Sequence, residues 1–250
     1  MDFELKGRVA VVTGASRGLG RAAAVALAGE GVRVLAVART EEALASLEVE
    51  FPGAIAAHTC DMRNREQVAD LARAAVARFG RLDIVVNNAG IAPANRFLDM
   101  PLEIWDEVFE VNVTALAVLS QAAGRHFVAA GEGGKIINIA STSGILGKAS
   151  LVAYSSTKGA VLQLTKALAS EWARHDIQVN AIAPGAFATE AQQAVLDSPD
   201  LKDRRIRKIP ARRMAEPSEM GALVCYLASP LSRFVTGAVY VIDGGETAKQ

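Results

Sequence analysis

Tyr154 and Lys158 lie four residues apart in a segment whose pattern turns helical from residue 151, so both side chains fall on one helix face. A lysine beside a tyrosine favours the phenolate, and we expect it to lower the pKa of Tyr154. Such a hydroxyl can give or take a proton at an alcohol or carbonyl centre. Ser141, at the end of an apolar run, could hold the carbonyl oxygen. On spacing alone, an exposed tyrosine–lysine pair is the more common explanation, so the rest of the chain must decide.

The composition narrows the possible classes of protein. Of the 250 residues, 51% are apolar, which is ample for a sizeable core, and 27 basic residues balance 27 acidic ones. A chain without net charge has no strong field for nucleic acid or an anionic membrane, and we expect neither as a partner. No apolar run is long enough to span a bilayer, and the first residues lack the apolar region of a signal peptide. These features predict a cytoplasmic protein.

Cysteine and histidine residues form no recognisable pattern. Cys60 and Cys225 have neither a metal-binding nor a redox spacing, and the three histidines are scattered along the chain. The sequence therefore predicts no metal site and no disulfide framework, as expected for a reducing compartment.

Apolar, β-branched runs alternate with helical patterns along the whole chain. The runs predict seven strands, at residues 8–13, 32–37, 54–59, 83–86, 135–140, 177–181 and 238–242. Helices are predicted at residues 18–29, 40–50, 63–79, 101–130, 151–174 and 216–228. Thr40 and Asn64 are candidate N-caps. This alternation predicts an α/β fold, with residues 1–250 forming a single Rossmann-fold domain whose doubly wound parallel sheet has helices on both faces.

The longest break in the alternation runs from residue 184 to residue 213 and is polar and basic. Ligands of open α/β sheets bind at the carboxyl ends of the strands, and this segment follows the sixth strand. We therefore predict that residues 185–213 form a substrate lid. A solvated helical excursion is the alternative.

A glycine-rich turn with GxxxGxG spacing follows the first strand and opens the first helix. Glycines permit a tight turn and a close approach of the backbone to a pyrophosphate, and the helix N-terminus offers N–H groups to the anion. The predicted cofactor contacts in this turn are Gly14, Ser16, Arg17, Gly18, Leu19 and Gly20. A methyltransferase or a nucleoside-phosphate binder could use a similar turn.

The end of the second strand distinguishes NADP from NAD. A carboxylate there would bind the ribose 2′-hydroxyl of NAD, but this chain has Ala38 followed by Arg39. Arg39 and Arg17 could flank a 2′-phosphate, because guanidinium groups match phosphate geometry. The sequence thus favours NADP(H) over NAD(H), with two solvated arginines as the alternative.

Residues after the third and fourth strands are predicted to line the rest of the cofactor cleft. Asp61 can accept a hydrogen bond from the adenine amino group, and Met62 can line the ring. Asn88, Ala89 and Gly90 can hold the backbone close to the cofactor ribose. An ordinary turn would explain the same residues.

Together these pieces resemble the short-chain dehydrogenases/reductases. The matching pieces, which extend over almost the whole chain, are the turn at residues 13–20, Asn87-Asn88-Ala89-Gly90, Asn112 in Val-Asn-Val, Ser141, Tyr154-x-x-x-Lys158, Asn180 and Pro184-Gly185-x-x-x-Thr189. Tyr-x-x-x-Lys is common by chance, whereas all of these pieces in this order are highly specific.

The resemblance implies a role for each matched residue. Tyr154 would be the catalytic acid and base, and Lys158 would lower its pKa and bind the nicotinamide ribose. Ser141 would position the substrate oxygen, and Asn112 would hold a water that links Lys158 to solvent. Pro184, Gly185 and Thr189 would lie against the carboxamide end of the nicotinamide. Relatives pair the long apolar helices at 101–130 and 151–174 across two-fold axes, which implies a homotetramer.

The substrate is expected to be a small carbonyl or alcohol compound, and three functions remain open. The first expectation is a 3-oxoacyl-[acyl-carrier-protein] reductase, on the basis of the glycine-rich turn, Arg39 and the ending at 235–245, with a basic lid segment at 204–213 that could meet an acyl thioester carrier. The alternative is a sugar or sugar-acid dehydrogenase, because residues 171–185 and Thr189-Glu190 resemble gluconate 5-dehydrogenases. A non-catalytic NADP-sensing Rossmann protein is the third possibility, against which the intact catalytic set argues.

Overall fold

Seven parallel strands form one sheet at the centre of the computed structural model, which describes residues 2–249. They are β1 (Val9–Thr13), β2 (Arg33–Ala38), β3 (Ile55–Thr59), β4 (Ile84–Asn87), β5 (Gly134–Ile139), β6 (Ile177–Pro184) and β7 (Val239–Ile242). Their order across the sheet is β3-β2-β1-β4-β5-β6-β7. The chain thus starts in the middle of the sheet and winds outward in both directions, and the predicted fold class is confirmed.

Helices cover both faces of the sheet. The α-helices are α1 (Gly18–Gly29), α2 (Glu42–Glu50), α3 (Arg65–Phe79), α4 (Leu102–Phe109), α5 (Ala115–Ala130), α6 (Ser143–Leu146), α7 (Val152–Trp172), α8 (Gln193–Leu196), α9 (Pro199–Arg207) and α10 (Gly221–Ala228). Alternate residues of β1 belong to different cores: Ala10 and Val12 pack in the cluster that includes α1 and α10, and Val9 and Val11 in the cluster that includes α3 and α5. A strand covered on both faces must be apolar throughout, which explains its unbroken run of buried residues.

Of the two predicted N-caps, the structure confirms one. Asn64 is confirmed as the N-cap of α3, because its side-chain oxygen accepts hydrogen bonds from the N–H groups of Glu66 and Gln67. Thr40 is not a cap. Helix α2 begins at Glu42, and the backbone carbonyl of Glu41 already accepts the N–H of Ala45, so the helical hydrogen bonds start one residue after Thr40.

The predicted single helix over residues 101–130 is interrupted. A π-helical turn at Glu110–Thr114 separates α4 from α5 and carries Asn112. This turn contains no glycine or proline and both of its flanking residues are helical, so no helix-breaking signal in the sequence marks it. Because π-turns are frequent at functional sites, the position of Asn112 on this one agrees with a functional role for that residue.

The segment predicted as an irregular lid contains two helices, α8 and α9. Ser198 caps α9 by accepting a hydrogen bond from the N–H of Leu201, and Pro199 occupies its first position. The segment is therefore more regular than the sequence pattern indicated. Strand β6, which leads into it, continues to Pro184, three residues beyond the predicted end.

Candidate active site

The three residues predicted to act on the substrate come together at the carboxyl edge of the sheet. Ser141 follows β5, and α7 carries Tyr154 in its first turn and Lys158 one turn later. The Ser141 hydroxyl accepts a hydrogen bond of 3.1 Å from the N–H of Ser143, which fixes its direction. Helix α6 lies tightly against α7 because Gly144 has no side chain: a Cβ there would be 2.6 Å from the carbonyl carbon of Lys158.

Tyr154 does not have the lowered pKa that the sequence predicted. Burial raises the pKa of Tyr154, and a hydrogen bond with Ser141 only opposes that rise. The ammonium of Lys158 lies 5.6 Å from the centroid of the tyrosine ring, and it is directed to a backbone carbonyl. Its charge is therefore not delivered to the phenol oxygen in this arrangement, which explains the difference from the expectation.

Lys158 is almost completely buried behind the tyrosine. Its Nζ donates a hydrogen bond of 2.7 Å to the carbonyl of Ile139, at the end of β5. Burial lowers the pKa of Lys158 from 10.5 to about 8. At neutral pH the side chain is still an ammonium, so a positive charge is held under the site.

Asn112 connects the loop after β4 to the catalytic helix. Its side-chain oxygen accepts the N–H of Ile91 at 2.8 Å, and its amide group donates to the Ile91 carbonyl at 2.9 Å and to the Thr157 hydroxyl at 3.1 Å. Thr157 in turn donates to the carbonyl of Tyr154 at 2.7 Å. Both amide N–H groups are used by protein atoms, so the predicted water at Asn112 stays a prediction.

The sequence analysis missed Thr157 and Thr13 as positioning residues. The Thr13 hydroxyl accepts hydrogen bonds from the N–H groups of Asn88 and Ala89, at 3.0 and 3.1 Å. The Asn88 amide donates to the carbonyls of Thr13 and Gly14, at 2.9 and 3.1 Å. Asn88 thus braces the glycine-rich turn from the neighbouring strand. A hydroxyl at the end of β1, beside a strand that ends in asparagines, was the signal available in the sequence.

A second set of polar residues lies buried beneath the site. The amide of Asn87 donates to the side chains of Ser120 and Asn138, at 3.1 and 2.9 Å, and Asn138 donates to the Thr165 hydroxyl at 2.9 Å. These bonds join β4 and β5 to α5 and α7. Buried polar groups that are paired in this way favour one arrangement of the elements, and the catalytic helix is thereby fixed against the sheet.

The glycine-rich turn has the shape that a pyrophosphate requires. Gly14 and Gly18 have positive φ angles of 65° and 54°, and a Cβ on Gly20 would lie 2.1 Å from the carbonyl oxygen of Gly14. No side chain caps the N-terminus of α1. Its first N–H groups are therefore available to an anion, and the residues present fit a dinucleotide phosphate.

Two arginines stand at the end of this turn and of β2. Arg17 and Arg39 are both exposed, and neither forms a salt bridge with another residue between 2 and 249. Ala38, at the end of β2, brings no carboxylate. Arg39 is close enough to Asp61 to contribute to the lowered pKa of that carboxyl, and guanidinium groups such as these two have the geometry to bind a phosphate.

Asp61 and Met62 follow β3 at the same edge of the sheet. The carboxylate of Asp61 accepts hydrogen bonds from the guanidinium of Arg63, the shortest at 2.7 Å, and Met62 is buried beside it. The hydrogen bonds with Arg63 hold the pKa of Asp61 below its usual value, so the carboxylate is ionised. Sequence spacing indicated Asp61 as an acceptor but not this arginine.

The predicted nicotinamide end leads from β6 into the lid. The N–H of Gly185 donates to the carbonyl of Ile242 at 2.9 Å, and a Cβ on Gly185 would lie 2.6 Å from the Cβ of Asp243. Thr189 lies across from the glycine-rich turn, with its methyl group 3.5 Å from the position of a Cβ on Gly18. The start of the lid and the turn thus face each other. Gly90 lies close to Lys158, because a Cβ on Gly90 would be 3.7 Å from the Nζ of that lysine.

Residues 2–249 contain neither a candidate metal site nor a helix that could span a membrane. No group of three or more histidine, cysteine, aspartate or glutamate residues in this range could hold a metal ion. Over the same range, no helix has the length and apolar character needed to cross a membrane.

Comparison with known proteins finds the same pattern over nearly the whole chain. A family model described as enoyl-(acyl carrier protein) reductase matches residues 14–247. The 2-dehydro-3-deoxy-D-gluconate 5-dehydrogenase of Escherichia coli (strain K12) is 38% identical over 248 residues, which cover 99% of this chain and 98% of that protein. The D-threitol dehydrogenase of Mycolicibacterium smegmatis is 38% identical over 251 residues, covering 99% and 96%.

A solved structure extends the comparison to three dimensions. The crystal structure of a gluconate 5-dehydrogenase from Burkholderia cenocepacia J2315, in complex with NADP and tartrate, superposes with a TM-score of 0.94 at 36% identity. The match covers 100% of this chain and 98% of that one.

These matches, with the fold and the site, define the class of protein. The chain belongs to the short-chain dehydrogenase/reductase family, and the predicted family is confirmed. It is a nucleotide-dependent oxidoreductase of that family. Of the two substrate predictions, the relatives match the sugar or sugar-acid dehydrogenase better than the 3-oxoacyl-[acyl-carrier-protein] reductase, which was the first expectation.

Proposed function

We propose that this protein interconverts a secondary alcohol and a ketone on a small sugar-type substrate, with NADP(H) as the cofactor. The observation that carries the proposal is the convergence of Ser141, Tyr154 and Lys158 beside the glycine-rich turn. Relatives named for gluconate, D-threitol and galactitol support a polyhydroxylated substrate over an acyl thioester. The same catalytic set argues against a protein that binds the nucleotide without turnover.

In this proposal each catalytic residue acts on the substrate oxygen or on its neighbour. NADP(H), when bound, would supply or take up the hydride. Tyr154 would give its phenol proton to a ketone oxygen, or take a proton from an alcohol. Ser141 would donate a hydrogen bond to the oxygen as negative charge develops on it. Lys158, an ammonium at neutral pH, would stabilise the phenolate left on Tyr154 by turning its Nζ from the Ile139 carbonyl towards the phenol oxygen.

The residues proposed to hold the cofactor form three groups along the edge of the sheet. The pyrophosphate group comprises Gly14, Ser16, Gly18, Leu19 and Gly20, on the turn and the start of α1. The adenosine group comprises Arg17, Arg39, Asp61, Met62, Asn88 and Ala89. The nicotinamide group comprises Gly90, Tyr154, Lys158, Pro184, Gly185 and Thr189. The glycine geometry, the uncapped α1 and the position of Thr189 support this assignment.

We expect Arg39→Ala to lower kcat/KM for NADP by about 30-fold and to leave kcat/KM for NAD within about 3-fold. The arginine would contact only the 2′-phosphate, so only the phosphorylated cofactor loses a charge-assisted hydrogen bond. The measurement is initial rates with each cofactor at saturating substrate. Arg78→Ala is the matched control, because Arg78 is exposed on α3 and away from the turn. Equal losses with both cofactors would contradict the assignment of NADP.

A substrate panel tests the function directly. NADP+ reduction should be followed with four- to six-carbon alditols and aldonates, and NADPH oxidation with keto-aldonates, a diketone and acetoacetyl thioesters. We expect kcat/KM for the best polyhydroxylated compound to exceed that for the thioester by at least about 100-fold, since a site that hydrogen-bonds hydroxyl groups rejects compounds without them. A preference for the thioester would overturn the proposal. Cofactor binding without turnover of any compound would favour the sensor.

Residues 185–213 are proposed to act as the lid of this site. Thr189 already faces Gly18, and a cavity of about 510 Å³ lies between α1 and the segment that includes Glu190 and Leu196. The far end is held by the ion pair of Arg205 with Glu246, near the end of the chain. A segment fixed at one end with space beneath the other can close over a ligand.

A homotetramer is the proposed assembly, and the structure limits the surface that could form it. Of the apolar residues on the two long helices, Leu116 and Val161 are buried in the chain's own core, whereas Val113 and Leu164 are only partly covered. We expect light scattering to give a mass of about four chains, because partly covered apolar helix faces are stabilised by pairing. A monomer at micromolar concentration would contradict this assembly.

A further inference from the structure

Asn112 lies on the π-helical turn between α4 and α5. The N–H of Ala115 donates to the carbonyl of Glu110, five residues earlier, so the turn contains one residue more than an α-helical turn. Turns of this kind are rare, and the chain on both sides of this one is α-helical. We therefore looked for contacts with neighbouring elements that hold the turn in place.

Three successive residues of the turn are anchored to three different neighbours. Glu110 forms an ion pair with Arg65, the first residue of α3. Val111 is buried in the core that includes α3 and α5. Asn112 is hydrogen-bonded to the loop after β4 and to α7. Because successive side chains of a helix point in directions about 100° apart, these contacts lie on different sides of the turn and together fix its rotation.

The geometry of the Arg65–Glu110 ion pair distinguishes it from ordinary surface pairs. The guanidinium donates two hydrogen bonds, from Nε to Oε1 at 2.7 Å and from Nη2 to Oε2 at 2.5 Å. The Glu110 side chain is only 23% exposed, and its hydrogen bonds with Arg65 hold the pKa of Glu110 below its usual value. By contrast, Arg63 and Glu107 of α4 meet in a single contact of 3.5 Å between exposed side chains. A two-point pair constrains direction as well as distance.

The rotation of the turn determines how Asn112 meets the catalytic helix. Asn112 is buried, its amide donates to the Thr157 hydroxyl at 3.1 Å, and that hydroxyl donates to the carbonyl of Tyr154 at 2.7 Å. On the other side, a Cβ on Gly90 would lie 3.2 Å from the Asn112 Oδ1, so the side chain is closely surrounded. A rotated turn would therefore break hydrogen bonds of Asn112, because the side chain has little space in which to compensate.

We propose that the Arg65–Glu110 ion pair is a positioning element of the active site, which fixes the rotation of the π-helical turn and thereby the hydrogen bonds that join Asn112 to α7. In this role Arg65 and Glu110 contact neither substrate nor cofactor, and they act only through Asn112. The inference rests on the proposed function for its effect on turnover, and it goes beyond that function by adding two positioning residues outside the cleft.

The first measurement is amide hydrogen exchange in the apo-protein, which requires no substrate. We expect Arg65→Met to raise the exchange rate of a peptide covering residues 108–116 by about 5-fold, because the turn opens more easily without the ion pair. Arg65 is 64% exposed, so the substitution leaves the core intact. Arg73→Met is the matched control, since it removes an arginine of the same helix that is also ion-paired, with Asp70, and should leave the exchange rate unchanged.

The second measurement is steady-state kinetics with the best substrate of the panel. We expect Arg65→Met to lower kcat by about 5-fold and to leave KM for NADP within about 2-fold. In an Asn112→Ala background the same substitution should cause no further loss, because the pair acts through Asn112. Exchanging the two charges, by combining Arg65→Glu with Glu110→Arg, should recover most of kcat.

The possible results separate this inference from the function on which it rests. An unchanged exchange rate at residues 108–116 in Arg65→Met would overturn the role of the ion pair. An equal loss of kcat with and without Asn112 would also overturn it, because the loss would then arise elsewhere. If the wild type turns over no compound of the panel, the proposed function fails, and the exchange rate still decides whether the ion pair holds the turn.

Discussion

Tyr154→Phe is expected to lower kcat by about 10³-fold or more, with NADPH affinity within about 3-fold of wild type. The substitution removes one oxygen atom and keeps the ring that covers Lys158. The substrate oxygen then has no phenol to exchange a proton with, while the cofactor groups on the turn and the strands are untouched. Steady-state rates with the best substrate of the panel give kcat, and quenching of protein fluorescence gives the affinity for NADPH.

Two further variants make this result specific. Ser141→Ala should cost less than Tyr154→Phe, about 10²-fold, because it removes a hydrogen-bond donor and leaves the acid in place. Tyr240→Phe removes the same atom from a tyrosine on β7 and should leave kcat unchanged. A rate near that of wild type in Tyr154→Phe would show that another group transfers the proton.

Much of the site was predictable because its residues lie at the ends of strands. Ser141 and Asn88 each follow a buried run, and the carboxyl ends of parallel strands meet at one edge of the sheet. Both faces of β1 and β4 are covered by helices, which explains why these strands appear in the sequence as unbroken apolar runs. The sequence pattern was therefore sufficient to bring the catalytic and nucleotide-binding motifs together before any distance was known.

The substrate class was less predictable, because the residues that suggested an acyl thioester have structural or nucleotide-binding roles instead. The expectation of an acyl reductase rested partly on the ending at residues 235–245. In the structure, the Asp243 carboxylate accepts the N–H groups of Gly245 and Thr247, and it thereby shapes the turn after β7. Arg39 stands at the end of β2, on the proposed adenosine side of the cleft. Residues that close a sheet or bind a nucleotide carry little information about the other reactant.

Electrostatic effects that depend on tertiary contacts were also not predictable from the sequence. The i, i+4 spacing of Tyr154 and Lys158 suggested a direct effect on the phenol, but burial is the main cause of the pKa shift of both groups, and at Tyr154 a hydrogen bond with Ser141 opposes it. Likewise, a run of basic residues in the lid suggested a free positive surface. Partners one turn away neutralise part of it, because Asp200 pairs with Arg204 and Asp203 pairs with Arg207. Spacing shows which groups can meet, but their surroundings decide what they do.

Lys158→Met is expected to lower kcat by at least about 10²-fold and yet to stabilise the cofactor-free fold by about 2 kcal/mol at pH 7. Burial lowers the pKa of Lys158 from 10.5 to about 8, and this shift corresponds to about 3 kcal/mol against the charged form. Methionine removes that cost. The carbonyl of Ile139 loses its hydrogen bond from Nζ, which offsets about 1 kcal/mol. Thermal unfolding of the apo-protein should show a rise in Tm of about 5 °C.

The pH dependence of the free energy of unfolding shows whether Lys158→Met stabilises the fold by removing a buried charge or by better packing. Between pH 8 and 10.5 the unfolded wild type binds more protons at Lys158 than the folded one, so wild-type stability rises with pH through that window. The advantage of Lys158→Met should therefore be full below pH 8 and shrink towards pH 10.5. Lys166→Met, at an exposed position of the same helix, should show neither the gain nor its pH dependence.

A gain in stability that stays constant with pH would indicate better packing. A loss of stability at pH 7 would show that the hydrogen bond to Ile139 outweighs the cost of burying the charge. The expected combination of lower activity with higher stability would mean that the site retains a buried ammonium for its chemistry, at a cost to the stability of the fold.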